Sequence, residues 1–251
     1  MDSCSATAPL YRLVDEDSEA PYILAQDIEG FFADSRHAHD EDVLIFGSAV
    51  GPIRVGADLL DVELQVVDAM GRMIGRYFVG RVGLRSEFGA ESGRASPGFV
   101  ATFYGYTSPY AAAGAVWRRW ATGGPMRRGE WARSPVSCHA SWLHVAQNAW
   151  FAAGHAAQRY GVGDICELDG ELILGEASFY CALGESVNGP GGYFGSTLDG
   201  LADCLATTRA TSSMFELIWK RYDDTRERMG EALVSPIIEV LREFGVRVTL
   251  R

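Results

Sequence analysis

Two carboxylates four residues apart, Asp199 and Asp203, are the side chains whose type and spacing point most directly to chemistry. They lie in Tyr193-Phe194-Gly195-Ser196-Thr197-Leu198-Asp199-Gly200-Leu201-Ala202-Asp203-Cys204-Leu205. On a helix, Leu198, Leu201, Ala202 and Leu205 make a buried stripe, and both aspartates fall on the opposite face. Like charges one turn apart cost a helix roughly a few tenths of a kcal/mol. A use for the pair outside the helix is therefore expected. Asp199 also has a purely structural reading, because Ser196-x-x-Asp199 fits an N-terminal cap with an acid at the third helical position. Asp203 is a turn too deep to cap anything and has no Lys or Arg within four residues. Its bland reading is a solvated charge.

Other chemistries find less support. The glycine-rich stretch Asn188-Gly189-Pro190-Gly191-Gly192-Tyr193-Phe194-Gly195 comes after a predicted helix rather than a strand, and Phe194 stands where a dinucleotide fingerprint needs its third glycine. It reads either as a loop whose glycines let the chain pass close to a neighbour or as a binding loop that presents Tyr193. Lys220 is the single lysine, which excludes a phosphate loop of the GxxxxGK type. His144 and His155 are expected on one helix face, and His37 and His39 flank Ala38. Neither pair comes with a third ligand, so core or solvated histidines are expected rather than a metal site. Trp117-Arg118-Arg119-Trp120 with Arg127-Arg128 could mark a nucleic-acid patch, but residues 1–165 hold 14 basic against 19 acidic residues. Core tryptophans beside exposed arginines is the preferred reading. No Ser-His-Asp or Cys-His order stands out, and no cofactor is expected.

The elements that must position these residues can be read from periodicity. Residues 20–106 read mainly as strands: Tyr22–Ala25, Val43–Phe46, a hairpin of Val62–Val66 and Tyr77–Val82, and Phe99–Phe103, with a loop at Gly89–Gly98. Ser108-Pro109 is expected to start a helix over Tyr110–Ala121, and a second runs over His139–Tyr160. The pattern then alternates. A strand at Ile165–Leu168 leads to a helix at Glu176–Val187, the glycine loop and a helix at Thr197–Ala206. A strand at Phe215–Trp219, a charged helix at Tyr222–Met229, a helix started by Ser235-Pro236 and a last strand at Val246–Leu250 complete it. Helices between all strands argue for a small parallel sheet. The fold expected is a β-rich α+β domain over 1–163 and an α/β domain with a three-stranded parallel sheet over 164–251.

Length and composition agree. The chain has 251 residues, 47% hydrophobic and 22% charged, enough for two domains and unlike a disordered or fibrous protein. A formal charge of −11 disfavours direct nucleic-acid binding and suits a basic protein partner. Cys4, Cys138, Cys166, Cys181 and Cys204 are odd in number and lack a CxxC pair, so no disulfide framework is expected. With no basic, apolar leader and no long uncharged apolar run, the expectation is a cytoplasmic chain without a membrane segment.

From about residue 166 the sequence resembles the barstar family of intracellular ribonuclease inhibitors. The resemblance rests on Tyr193, Gly195, Leu198, Asp199, Leu201, Asp203, Cys204 and Leu205, which match Tyr-x-Gly-x-x-Leu-Asp-x-Leu-x-Asp-Cys-Leu. Trp219 at the end of the second strand and Glu243 near the end of the last helix extend it. It implies a non-enzymatic bacterial immunity protein or antitoxin whose partner is a small basic ribonuclease or ribonuclease-like toxin domain. Asp203 would sit in that enzyme's phosphate pocket, assisted by Asp199, Tyr193 and Glu243. Departures are Ala202 where the family has a tryptophan, Thr207-Thr208 in place of an aromatic, and Thr197 in place of Asn. An adaptor module that docks another protein through the same acidic face is the competing expectation, and the first 160 residues resemble no family.

Overall fold

The computed structural model describes residues 8–33, 42–89 and 97–251. The chain forms two compact units, Met1–Gly124 and Pro125–Arg251.

The first unit is built on six strands, β1 (Tyr11–Asp15), β2 (Pro21–Glu29), β3 (Asp42–Ala49), β4 (Asp58–Val67), β5 (Met73–Phe88) and β6 (Gly98–Phe103). They pair antiparallel and close into a barrel in the order β1-β2-β3-β6-β5-β4. Alternation sends Leu13, Ile23, Ile45, Leu64, Leu84 and Ala101 into a fully buried interior. The expected hairpin is β4–β5. Its turn is organised by Asp68, whose carboxylate accepts from the backbone N–H groups of Met70 and Arg72 at 2.9 Å each. β1 is absent from the sequence expectation, because its five residues run directly into an acidic turn; what makes them a strand is pairing on both sides, with β2 and β4. His37, His39, Cys4 and most of the Gly89–Gly98 loop lie outside the described residues.

Helix α1 (Ala113–Ala121) starts three residues later than expected and has no side-chain cap. Ser108 is unavailable for capping, since its N–H donates to the Phe31 carbonyl and its carbonyl accepts from the Ala33 N–H, tying it to the barrel as a bridge. Trp117 is the buried anchor of α1. Its Nε1 donates to the Tyr77 hydroxyl at 2.7 Å, and its ring lies where a Cβ on Gly75 would approach to 2.2 Å. Only glycine admits that contact.

The second unit comprises α2 (His139–Ala152), β7 (Ile165–Asp169), α3 (Glu176–Asn188), α4 (Leu198–Thr211), β8 (Glu216–Lys220), α5 (Tyr222–Met229), α6 (Glu231–Glu243) and β9 (Arg247–Leu250). The strands form the expected three-stranded parallel sheet, ordered β7-β8-β9. Trp219 on β8 is fully buried and stacks on Phe179 of α3 at 5.2 Å. Leu201, Cys204 and Leu205 of α4 and Val234 and Leu241 of α6 complete the core.

Three helices of this unit differ from expectation, α4 by running on to Thr211 instead of ending at Ala206. α2 stops at Ala152 rather than Tyr160, because Gly154 takes a left-handed φ of 79° and closes a double hydrogen bond, Gly154 N–H to Phe151 O and His155 N–H to Trp150 O. His155 is therefore off the helix that carries His144. α6 begins at Glu231 and carries Pro236 inside it. Its buried stripe is Val234, Ile237, Ile238 and Leu241, and burying Val234 requires a helical turn before the proline.

The packing break also falls elsewhere, at Gly124/Pro125 instead of near Gly161–Asp164. Composition changes at the later point, but residues 125–163 pack with the helices of the α/β unit. Glu185 of α3 is buried and accepts from the Gly129 N–H and the Trp131 Nε1–H, both at 2.7 Å. His139 is hydrogen-bonded through Nδ1 to the Ser178 hydroxyl at 2.9 Å and donates from Nε2 to the Ser134 carbonyl at 3.1 Å. Burial lowers its pKa.

Candidate functional site

α4 is positioned from its N-terminus. Thr197, in extended conformation, is the N-cap, its Oγ1 accepting from the Gly200 N–H at 3.1 Å. The cap is therefore Thr197 and not Ser196, which places Asp199 second in the helix rather than at the third position of a capping box. A carboxylate there is favoured by the first turn's free N–H groups without being consumed by them. Gly195 makes the entry possible. Its φ is 89°, and a Cβ on it would meet the Leu201 backbone N at 2.8 Å.

The glycine loop is held at its root by Asn188. Its Oδ1 accepts from the Tyr160 N–H at 2.7 Å, while its Nδ2 donates to the Gln158 carbonyl at 3.1 Å and the Tyr193 carbonyl at 2.7 Å. One amide thus fastens the segment before β7 to the loop before α4.

Both aspartates are exposed, and neither carboxylate forms a hydrogen bond or ion pair among the described residues. Beneath them, Cys204 is fully buried; desolvation pushes its thiol up to about 12, with the Asp203 charge adding to the effect, so it is not a nucleophile. Glu243 is the last residue of α6, is exposed, and belongs to the helix packed against α4. The stretch 164–251 holds 8 basic and 15 acidic residues, a formal −7. An exposed, unneutralised pair of carboxylates in such a field attracts a cationic surface.

Tyr193 differs from the expectation that the loop presents it. It is only 4% exposed, its ring meets Phe151 of α2 edge-on at 5.5 Å, and its hydroxyl lies beside Gly200. Burial raises its pKa, Ser196 opposing and the charge of Asp203 reinforcing the shift. The physical reason is that Phe151, next to last in α2, packs against the ring. Tyr193 is thus a floor under the first turn of α4.

The remaining candidates are structural. Desolvation alone pulls the His144 pKa down to about 4, and His155 stacks on Trp150 at 4.3 Å. A pocket of about 250 Å³ is lined by residues including Arg128, Trp131, Glu167, Asp169 and Glu185. Its carboxylates are already engaged, Glu167 by Lys220 at 2.8 Å, Asp169 by Arg221, and Glu185 by the Gly129 and Trp131 N–H groups. Among the described residues no three His, Cys, Asp or Glu side chains converge as a metal site, and no helix is long and apolar enough to cross a membrane. The sequence reading missed Phe151 and the Glu185 clasp. The only signal for the first was its place off the stripe of α2, and for the second a glutamate among the apolar positions of α3.

Compared with known families, residues 164–249 match the family described as Barstar (barnase inhibitor). Residues 164–249 thus form a C-terminal barstar domain. No curated protein matches the chain. The match begins where the parallel sheet begins and leaves out residues 125–163, although these pack with it.

Proposed function

We propose that the C-terminal unit is a stoichiometric inhibitor of a small basic ribonuclease or ribonuclease-like toxin domain, acting as an immunity protein in the cytoplasm of the bacterial cell that makes the enzyme. Asp203 takes the place of an RNA phosphate in the enzyme's cleft, with Asp199 one turn away as a second acceptor. Carboxylate oxygens can take the bidentate arginine bonds that phosphate oxygens take. Glu243 extends the acidic surface from α6, and Tyr193 supports α4 from below. Nothing is catalysed; occupancy of the cleft is the whole effect. The negative domain draws a basic enzyme into encounter, a form of steering for which barnase and barstar are themselves the standing example.

The observation that carries this reading is the free state of the two aspartates. Had they been turned inward or paired with this chain's own arginines, nothing would be left to offer an enzyme. The test is titration of RNA cleavage by barnase with the full chain, wild type against Asp203→Ala, at low and high salt. A hot-spot residue costs about 2 kcal/mol or more on truncation, roughly a thirtyfold weaker titration. Equal titration by D203A, or no inhibition by either protein, refutes the reading; a stable non-ribonuclease partner captured on the same acidic face would replace it with the adaptor.

A further inference from the structure

We infer that Phe151, at the end of a helix outside the family match, is a contact residue for the same basic ribonuclease, adding an aromatic anchor beside the acidic turn of α4. This rests on the inhibitor reading. Phe151 is 45% exposed, whereas its neighbour Trp150 is 9% exposed. One side of its ring covers Tyr193 at 5.5 Å. Tyr193 in turn reaches Gly200, between Asp199 and Asp203, so one buried ring links Phe151 to the turn that carries the carboxylates.

Three observations select this ring among the exposed aromatics of the unit. Tyr160, equally exposed, is engaged, its hydroxyl accepting from the Ala156 N–H and its ring meeting His155 and Trp150. Phe151 has no polar atom to engage, and among the described residues its one ring contact is with Tyr193. The surface of α4 around Asp203 is made of Ala202, Ala206 and Thr207, which offer little to grip. Interface energy concentrates in aromatic and charged anchors ringed by contacts that exclude water, and excluding water strengthens the ion pairs beside them. A charged pair with no neighbouring large apolar group lacks that shield; Phe151 provides it. Charge complementarity and continuity identify the occupant: the partner that fits two free carboxylates is cationic, and a body large enough to receive α4 extends over the ring next to it.

The test uses the full chain with barnase as the probe, measuring association and dissociation at two salt concentrations together with urea unfolding of each variant. Phe151→Ala is expected to speed dissociation roughly tenfold while leaving the salt dependence of association unchanged. Phe151→Lys, which sets a cation against a basic enzyme, is expected to weaken binding roughly a hundredfold or more with an unchanged unfolding midpoint. D203A should instead reduce the salt dependence. If F151A shifts the unfolding midpoint, Phe151→Leu replaces it, since leucine still covers Tyr193; faster dissociation then supports the inference and wild-type dissociation overturns it. If wild type binds, D203A fails and F151K binds normally, the inference falls and the inhibitor reading stands. If wild type does not bind, both fall.

Discussion

Cutting the chain at residue 164, where the family match begins, should leave a domain much weaker than one beginning at residue 125. The hydrogen bonds of the removed segment include two to the buried Glu185 carboxylate and three neutral ones, His139 with Ser178, Arg159 with Thr208 and Tyr160 with Asn188. At about 2 kcal/mol for each charged bond and about 1 kcal/mol for each neutral one, these sum to about 7 kcal/mol. Truncation also returns Glu185 to water and relieves its burial, so the expected loss is about 3–5 kcal/mol. That is a large share of the roughly 5–15 kcal/mol typical of a whole domain. The assay is urea unfolding of fragments 125–251 and 164–251. With a slope near about 2 kcal/mol per molar, the shorter fragment should unfold at a midpoint lower by roughly 2 M. Coincident midpoints would show that residues 125–163 lie on the domain without supporting it.

Two other outcomes are expected. Thr197→Ala removes the cap of α4 and should cost about 1 kcal/mol in thermal unfolding, with a smaller effect on barnase titration than D203A; an unchanged melting temperature would exclude the capping role. Glu185 has its pKa raised above the ordinary 4.5 by burial, outweighing its hydrogen bonds to Trp131 and Gly129. Between 4.5 and the raised value the folded state holds a proton that the unfolded state has lost, so this group's contribution is full below 4.5 and declines as pH rises through the folded pKa. Glu167, lowered by its Lys220 bond, runs the other way and loses its contribution as pH falls. Glu185→Gln should flatten the decline that sets in above pH 4.5, and parallel stability curves for wild type and variant would contradict that assignment.

What the sequence made legible was local. The stripe of Leu198, Leu201 and Leu205 with two aspartates opposite defines α4 and its exposed face by periodicity alone, and helices between short apolar runs imply the parallel sheet. What it hid depends on partners distant along the chain. β1 is a strand because β2 and β4 flank it, not because of its composition. Ser108 has a capping residue's chemistry, but the barrel claims its backbone. Pro236 looks like a helix start until the burial of Val234 is taken into account. Tyr193 is the instructive case. Its position in the motif marks the loop correctly, yet which way the ring turns is decided by Phe151, some forty residues earlier on another helix.

The three bonds of Asn188 tie down the root of the loop before any encounter, which leaves less of it to be ordered there. Ordering a flexible contact commonly costs roughly 0.5–1.5 kcal/mol per side chain, and here folding has already met that cost. A rigid key of this kind favours a lock of matching spacing and cannot bend toward another. Evolution of such a protein toward a new target would therefore proceed by exchanging side chains on a fixed scaffold and not by reshaping the loop.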